Sequence, residues 1–173
     1  MNGVTEERRY YRMVDVGGKN VTRRRAIAYG RIVLGPLAFP QVRDRTLPKG
    51  DPLRLAETAG ILAAKQTANL IPLCHPLGLD HVELAFVLDE AEEAVAVFCQ
   101  ASTAARTGVE MEALAGVQVA LLTIWDLAKQ VEAALAIDGV RLLLKEGGKS
   151  GRWLHPNGLP PLPEGFNDQE APA

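Results

Sequence analysis

The chain has 173 residues, a length suited to one domain, and its 47% hydrophobic content is enough for a core. A formal net charge of −2 argues against a general nucleic-acid binder, which carries a basic excess, although local basic clusters can still hold the phosphates of a small ligand. Gly, Lys or Gln interrupts the longest apolar stretches, so no membrane span is expected, and the first residues lack the apolar core of a signal peptide. The two cysteines, Cys74 and Cys99, are expected as reduced thiols in a cytoplasmic protein.

Residues 1 to about 12 are polar, and a flexible N-terminus is expected there. Ala26, Ala28, Gly30, Ile32 and Leu34 then share one parity, which predicts a strand from Arg24. Gly35-Pro36 through Pro48 reads as a loop. Asp51 can cap a helix whose first position is Pro52, and good helix formers carry it to about Asn69. An extended segment or loop spans Leu70 to Pro76. Strands are predicted at about 79–88 and 94–104, joined by an acidic turn at Glu90–Glu93. From Val109 to Leu135, Leu114, Val117, Leu121, Ile124, Val131 and Leu135 recur at helical spacing, which predicts one long helix. Val140–Leu144 is a last strand, and the remainder, rich in Gly and Pro, is a tail or exposed arm. Strand, helix, strand, strand, helix, strand is the α+β ferredoxin-like pattern, an antiparallel sheet with helices packed on one face. Its other face, if apolar, needs a partner, so an oligomer is expected.

Several groups can carry chemistry. Lys49 precedes the N-terminus of a helix, where free N–H groups and a cation together suit an anion, although capping alone accounts for Asp51. Cys74-His75 sits between Pro72 and Pro76, so its side chains are held on a stiff backbone. Histidine there can bond a ligand or move protons, or be structural. Zinc on Cys74, His75 and His81 fits no standard ligand spacing. Lys145 to Gly151 ends in Gly-Lys-Ser, but Leu143 stands where a P-loop needs its first glycine, and no helix follows. The segment still offers Lys145 and Lys149 on a Gly-rich strand end suited to phosphate, or else an ordinary flexible exit.

Glu110 and Glu112 suit a helix start through the macrodipole, and they can also accept hydrogen bonds from an amino-bearing ring. Asp126 and Lys129, three apart, share a face among Trp125, Leu127, Ala128 and Val131, as a simple ion pair or as an acid/base couple in a desolvated setting. From Glu112 to Asp126 the helix rises roughly 20 Å, so its two ends cannot hold one reactive atom. Either they serve opposite ends of a long ligand, or two antiparallel copies in a symmetric dimer combine one start with the other end.

Met13-Val14-Asp15-Val16, Lys49-Gly50-Asp51, Ala63-Ala64-Lys65-Gln66-Thr67, Leu70-Ile71-Pro72-Leu73-Cys74-His75-Pro76-Leu77, Thr107-Gly108-Val109-Glu110-Met111-Glu112-Ala113-Leu114 and Lys145-Glu146-Gly147-Gly148-Lys149-Ser150-Gly151 occur in the order and near spacing of one family. From about residue 13 to 151 the chain resembles the cyclic pyranopterin monophosphate synthases of molybdenum cofactor biosynthesis. The resemblance implies a ferredoxin-like fold and a cytoplasmic hexamer, a trimer of dimers with sites at the dimer interfaces. It also implies a reaction. 3′,8-cyclo-7,8-dihydro-GTP from a partner radical enzyme is rearranged to the pyranopterin, a cyclic phosphate closes, and diphosphate leaves.

By motif position, Asp126, Lys129 and Lys49 are the implied catalytic residues. Leu73, Cys74, His75, Glu110, Met111, Glu112, Lys145 and Lys149 are the implied substrate contacts. For the triphosphate, Lys49, Lys145 and Lys149 are candidate cations, with Arg24 and Arg25 behind them. No metal ligand set and no redox cofactor are expected; a magnesium ion on the substrate phosphates is compatible. The expected layout is a flexible 1–12, one catalytic domain over 13–151 and a Pro-rich tail over 152–173. The departures from the family pattern are Gly17-Gly18 and that tail. Two other readings stand beside this one: a non-enzymatic nucleotide-binding oligomer and a zinc-dependent cyclohydrolase.

Overall fold

The computed structural model describes residues 10–168; most of the expected flexible N-terminus lies outside that range. Four long strands and a short fifth form one antiparallel sheet in the order β2-β3-β1-β4-β5. They are β1 (Thr22–Val33), β2 (His81–Asp89), β3 (Ala94–Ala105), β4 (Ala136–Glu146) and β5 (Trp153–Leu154). Helices α2 (Pro52–Lys65) and α4 (Glu110–Ala128) make the two crossovers on one face, which gives the expected α+β ferredoxin-like arrangement.

The parity read from β1 is the core face: Ala26, Ala28, Ile32 and Leu34 are fully buried in the main cluster beneath the helices. Gly30 belongs to the same row. A Cβ there would lie 2.7 Å from Leu121 and 2.8 Å from Val117, so its absence lets α4 settle onto the central strand. Glycine does the same between α2 and α4 and between α4 and β3. A Cβ on Gly60 would approach the Gly116 carbonyl to 2.9 Å, and one on Gly116 would meet the Cys99 sulfur at 2.6 Å.

The helix starts behave as composition requires. Asp51 caps α2, its Oδ1 accepting from the N–H groups of Leu53 (3.0 Å) and Arg54 (3.3 Å), with Pro52 at the first position. The helix stops at Lys65, and a separate turn, α3 (Thr67–Leu70), carries the chain on. Two boundaries differ more. Residues 35–43 form a helix, α1 (Gly35–Arg43), rather than a loop. Pro36 is tolerated in the first turn, and Ala38, Phe39 and Val42 make a buried stripe that outweighs the bond lost at Pro40. At the other extreme, α4 ends at Ala128 rather than Leu135. The chain turns back there, the N–H groups of Val131 and Glu132 both donating to the Ala128 carbonyl. Leu135 is buried in the core, so its spacing recorded burial, not continued helix. By length and composition α4 is apolar enough to cross a membrane, but half of it is buried against the sheet and α2.

The second sheet face is the larger departure from expectation. The C-terminal segment lies along it, largely exposed but anchored to the sheet at β5 and Phe166. β5 pairs with β4, and Phe166 is buried against Ile27, Phe98, Leu143 and Leu144, flanked by Leu159 and Leu162. Part of the face expected to need a partner is therefore covered by the chain itself.

Candidate functional site

The link from β3 into α4, residues 106–109, makes one wall of a cleft. The Glu110 carboxylate folds back over Gly108, where any Cβ would collide with it, and one of its oxygens lies 3.2 Å from Lys145 Nζ. The opposite wall is the stiff segment carrying Leu73, Cys74 and His75. Residues 13–16 run across it, because His75 Nε2 lies 2.9 Å from the Val14 carbonyl oxygen. A carbonyl only accepts, so that nitrogen carries a proton and Nδ1 is left to serve as acceptor in the neutral ring. The cleft holds about 430 Å³, lined by Leu73, Cys74, His75, Glu110, Met111 and Glu112 together with Val14, Val16, Lys19, Leu77, Thr107 and Gly108. Six expected substrate contacts are thus assembled within one chain.

Glu112 is only 4% exposed. Burial pushes its carboxyl above the ordinary range, its own backbone N–H pulls part of that back, and the Glu110 charge adds to the rise. Burial also pushes up the Cys74 thiol, with Glu112 adding to the effect. A thiol held protonated next to an acid is a poor nucleophile and a reasonable part of a ligand-shaped wall.

A second cleft of about 610 Å³ adjoins the first through Lys19, Thr107 and Gly108. Its walls carry four cations, Lys19, Arg24, Arg106 and Lys149, with Gly148 and Ser150 from the Gly-rich segment. Thr22 Oγ1 is buried here without a hydrogen-bond partner among the described residues, a cost that a ligand oxygen would relieve. Of the five cations expected for a triphosphate, Lys149 and Arg24 stand in this cleft. Lys145 is engaged by Glu110. Arg25 is turned the other way, its guanidinium forked onto Glu146 at 2.9 and 3.1 Å. Lys49 is elsewhere. Lys19 and Arg106 were not among the expected contacts. In the sequence Lys19 follows Gly17-Gly18 and opens the basic run to Arg25, and Arg106 adjoins Thr107-Gly108, but both depend on loops whose paths local pattern does not define.

Near the far end of α4, Asp126 sits between two ammonium groups. Lys129 Nζ lies 2.7 Å from its Oδ1 and Lys49 Nζ 2.9 Å from its Oδ2, and Lys49 also donates to the Asp126 carbonyl at 3.1 Å. The hydrogen bonds from Lys129 and then Lys49 hold the carboxyl at about 2. The three expected catalytic residues therefore form one group in one chain. Their setting is not the desolvated one that the apolar neighbours suggested, since the Asp126 and Lys129 side chains are 51% and 53% exposed. Trp125 and Leu127 turn toward the core while Asp126 and Lys129 take the outer face. Nor is the group beside Cys74-His75. Roughly 20 Å of helix, fourteen residues, separates Asp126 from Glu112. Among the described residues no three His, Cys, Asp or Glu side chains converge as a metal-ligand set.

A ferredoxin-like α+β protein with a carboxylate-lined cleft, a cationic cleft beside it and a distant Lys-Asp-Lys group is a small-molecule-binding class of protein. The sequence narrows that class. Residues 13–148 match the MoaC family, and the chain belongs to it. It is 50% identical over 145 residues to a cyclic pyranopterin monophosphate synthase of Chloroflexus aurantiacus, covering 84% of this chain and 89% of that protein. A protein of the same name from Chloroflexus aggregans is 50% identical over 142 residues (82% and 86% covered). One from Heliobacterium modesticaldum is 49% identical over 143 (83% and 90%).

Proposed function

We propose that this chain is a cyclic pyranopterin monophosphate synthase, a lyase of molybdenum cofactor biosynthesis acting on 3′,8-cyclo-7,8-dihydro-GTP. The observation that carries the reading is the contiguity of the two clefts. A purine-derived ring fits the first, where the Glu112 and Glu110 carboxylates and His75 Nδ1 offer acceptors at its edge. A triphosphate reaches directly into the second, where four cations meet its oxygens. The names of the relatives at half identity give the product of the same reaction, cyclic pyranopterin monophosphate.

The chemistry asks for proton transfer during rearrangement of the ring, then attack of a sugar hydroxyl oxygen on the α-phosphorus. The new P–O bond closes the cyclic phosphate as the bond to the β-phosphate oxygen breaks, and diphosphate leaves with the electron pair. Lys129 and Lys49 are assigned to proton transfer. Asp126, held ionised by both, orients them and stays a carboxylate throughout the neutral range. In one chain these groups are out of reach of the clefts, so the working site joins the Asp126 end of one copy to the Glu112 end of another. The outer stripe of α4 supports such a joint. Met111, Ala115, Gln118, Leu122, Asp126 and Lys129 follow one another at three- and four-residue steps, and Met111 and Leu122 are 39% and 56% exposed. The same reading takes the assembly to be a cytoplasmic hexamer, a trimer of such dimers, fed by a radical enzyme, with any magnesium riding on the substrate phosphates.

The deciding experiment is turnover of anaerobically prepared 3′,8-cyclo-7,8-dihydro-GTP, followed by mass spectrometry for the cyclic pyranopterin monophosphate and an assay for diphosphate. Both products are expected in equal amounts. Tight binding with neither product would instead make the chain a nucleotide-binding oligomer.

A further inference from the structure

The cationic cleft depends on a segment that is loose by composition. Gly147, Gly148 and Gly151 all have positive φ, at +100°, +71° and +61°, and glycine gives up the most freedom when fixed. Such a loop presents Lys149 and Ser150 in one geometry only if something outside it restrains it. Part of the restraint comes from β1: a Cβ on Gly147 would strike the Arg23 carbonyl, and one on Gly148 would strike the Arg24 guanidinium. The rest comes from the C-terminal segment.

After Gly151 the chain returns as β5, with Trp153 opposite Lys145 and Leu154 opposite Leu144, and the His155 N–H donates to the Leu143 carbonyl at 2.9 Å. The Gly-rich segment is therefore the turn of a hairpin. Glu146, whose side chain is 11% exposed, closes the hairpin base. It accepts the fork from Arg25 and lies 3.6 Å from Arg152 Nε. Both arginines reach onward to the end of the described chain. Arg25 Nη1 donates to Asn167 Oδ1 at 3.3 Å, and Arg152 Nη2 donates to the Asp168 carbonyl. Beside them Phe166 is anchored in the second core, its ring 6.2 Å from that of Phe98.

We propose that residues 152–168 form a strap that positions the anion-binding hairpin, with Arg152 and Phe166 as positioning residues that do not touch the ligand. The inference rests on the reading of the cationic cleft as a triphosphate subsite. Phe166 fixes the strap to the sheet, Asn167 and Asp168 hold the two arginines, and the arginines hold Glu146 at the hairpin base. Releasing any link returns motion to the glycines in the empty cleft, and ligand binding must then remove it. The consequence falls on affinity more than on the chemical step.

The test is calorimetric titration of the full chain with inorganic tripolyphosphate, which carries the phosphates and no base. Wild type binds. Arg152→Ala and Phe166→Ala bind about tenfold more weakly, the scale of losing one well-placed charge-assisted contact, with circular dichroism unchanged. Arg152→Lys, which keeps the charge and loses the guanidinium bridge between Glu146 and Asp168, falls between. In turnover, KM for the cyclised dihydro-GTP rises with tripolyphosphate Kd while kcat changes less. Equal affinity in wild type and both variants overturns the strap and leaves the cleft reading standing. Failure of wild type itself to bind tripolyphosphate overturns the cleft reading and the strap with it.

Discussion

Glu112 at the start of α4 and Asp126 near its end are carboxylates on one helix, and their surroundings drive them in opposite directions. Glu112 is buried in a finished cleft, so its charged form is disfavoured. Asp126 is half exposed between two lysines, so its charged form is locked in. One end is a pocket built by a single chain. The other is an ion-paired Lys-Asp-Lys group on the surface of the chain. The contrast teaches that one long core helix can hold its carboxylates in opposite charge states, burial acting at one end and paired ammonium groups at the other.

The comparison is easiest to break at the exposed end. Asp126→Ala or Lys129→Ala is expected to lower kcat by about 10³-fold or more with the thermal transition nearly unmoved, since the groups are surface-exposed and their loss costs chemistry and little packing. Wild-type turnover in either variant removes that residue from the mechanism. Complementation tests whether the ends belong to different chains. Lys49 and Asp126 touch in one chain and so cannot rescue one another across copies. Glu112→Gln paired with Asp126→Ala can. Random mixing of the two inactive proteins is expected to restore about a quarter of wild-type activity, because half the dimers are mixed and each has one intact joint. No recovery in verified mixed oligomers breaks the shared site.

The midpoint of α4 sharpens the comparison through stability. Gly116→Ala places a methyl 2.6 Å from the Cys99 sulfur and is expected to cost about 1–3 kcal/mol in urea unfolding. It should disturb both half-sites together. The smallest effects lie in pH. The native pKa of Glu112 is raised from 4.5, so the folded state keeps a proton that the unfolded chain releases. Stability therefore falls as pH rises through that window, and Glu112→Gln should flatten the fall. Asp126 has the opposite sign. Its stabilisation is present above 3.8 and is lost as pH falls toward about 2, and Asp126→Asn should flatten that loss. Exposure keeps this last effect small.

Much of the fold was legible. The parity of β1, the cap at Asp51, the hairpin of β2 and β3, and the apolar repeat of α4 are local patterns, and local geometry decides them. α1 was not legible, because Pro36, Pro40 and Gly35 read as breakers until Phe39 and Val42 are seen to pack. The excess length assigned to α4 came from Leu135, apolar for core burial at a position the turn at Ala128 had already left. β4 runs longer than its apolar centre because cross-strand pairs with β1, Asp138 with Arg31 and Glu146 with Arg25, hold its polar ends in the sheet.

By itself the sequence determined the family, the order of the four long strands and the two crossover helices, and which residues bear reactive groups, since these depend on residue type and on spacing of a few positions. Tertiary structure decided which of those groups meet. It turned Arg25 away from the cationic cleft and brought in Lys19 and Arg106. It left Asp126 and Lys129 on the surface and laid Phe166 on the second face of the sheet. Each of these outcomes is a contact between segments far apart in the chain, fixed by burial and charge in three dimensions, where no local period carries the information.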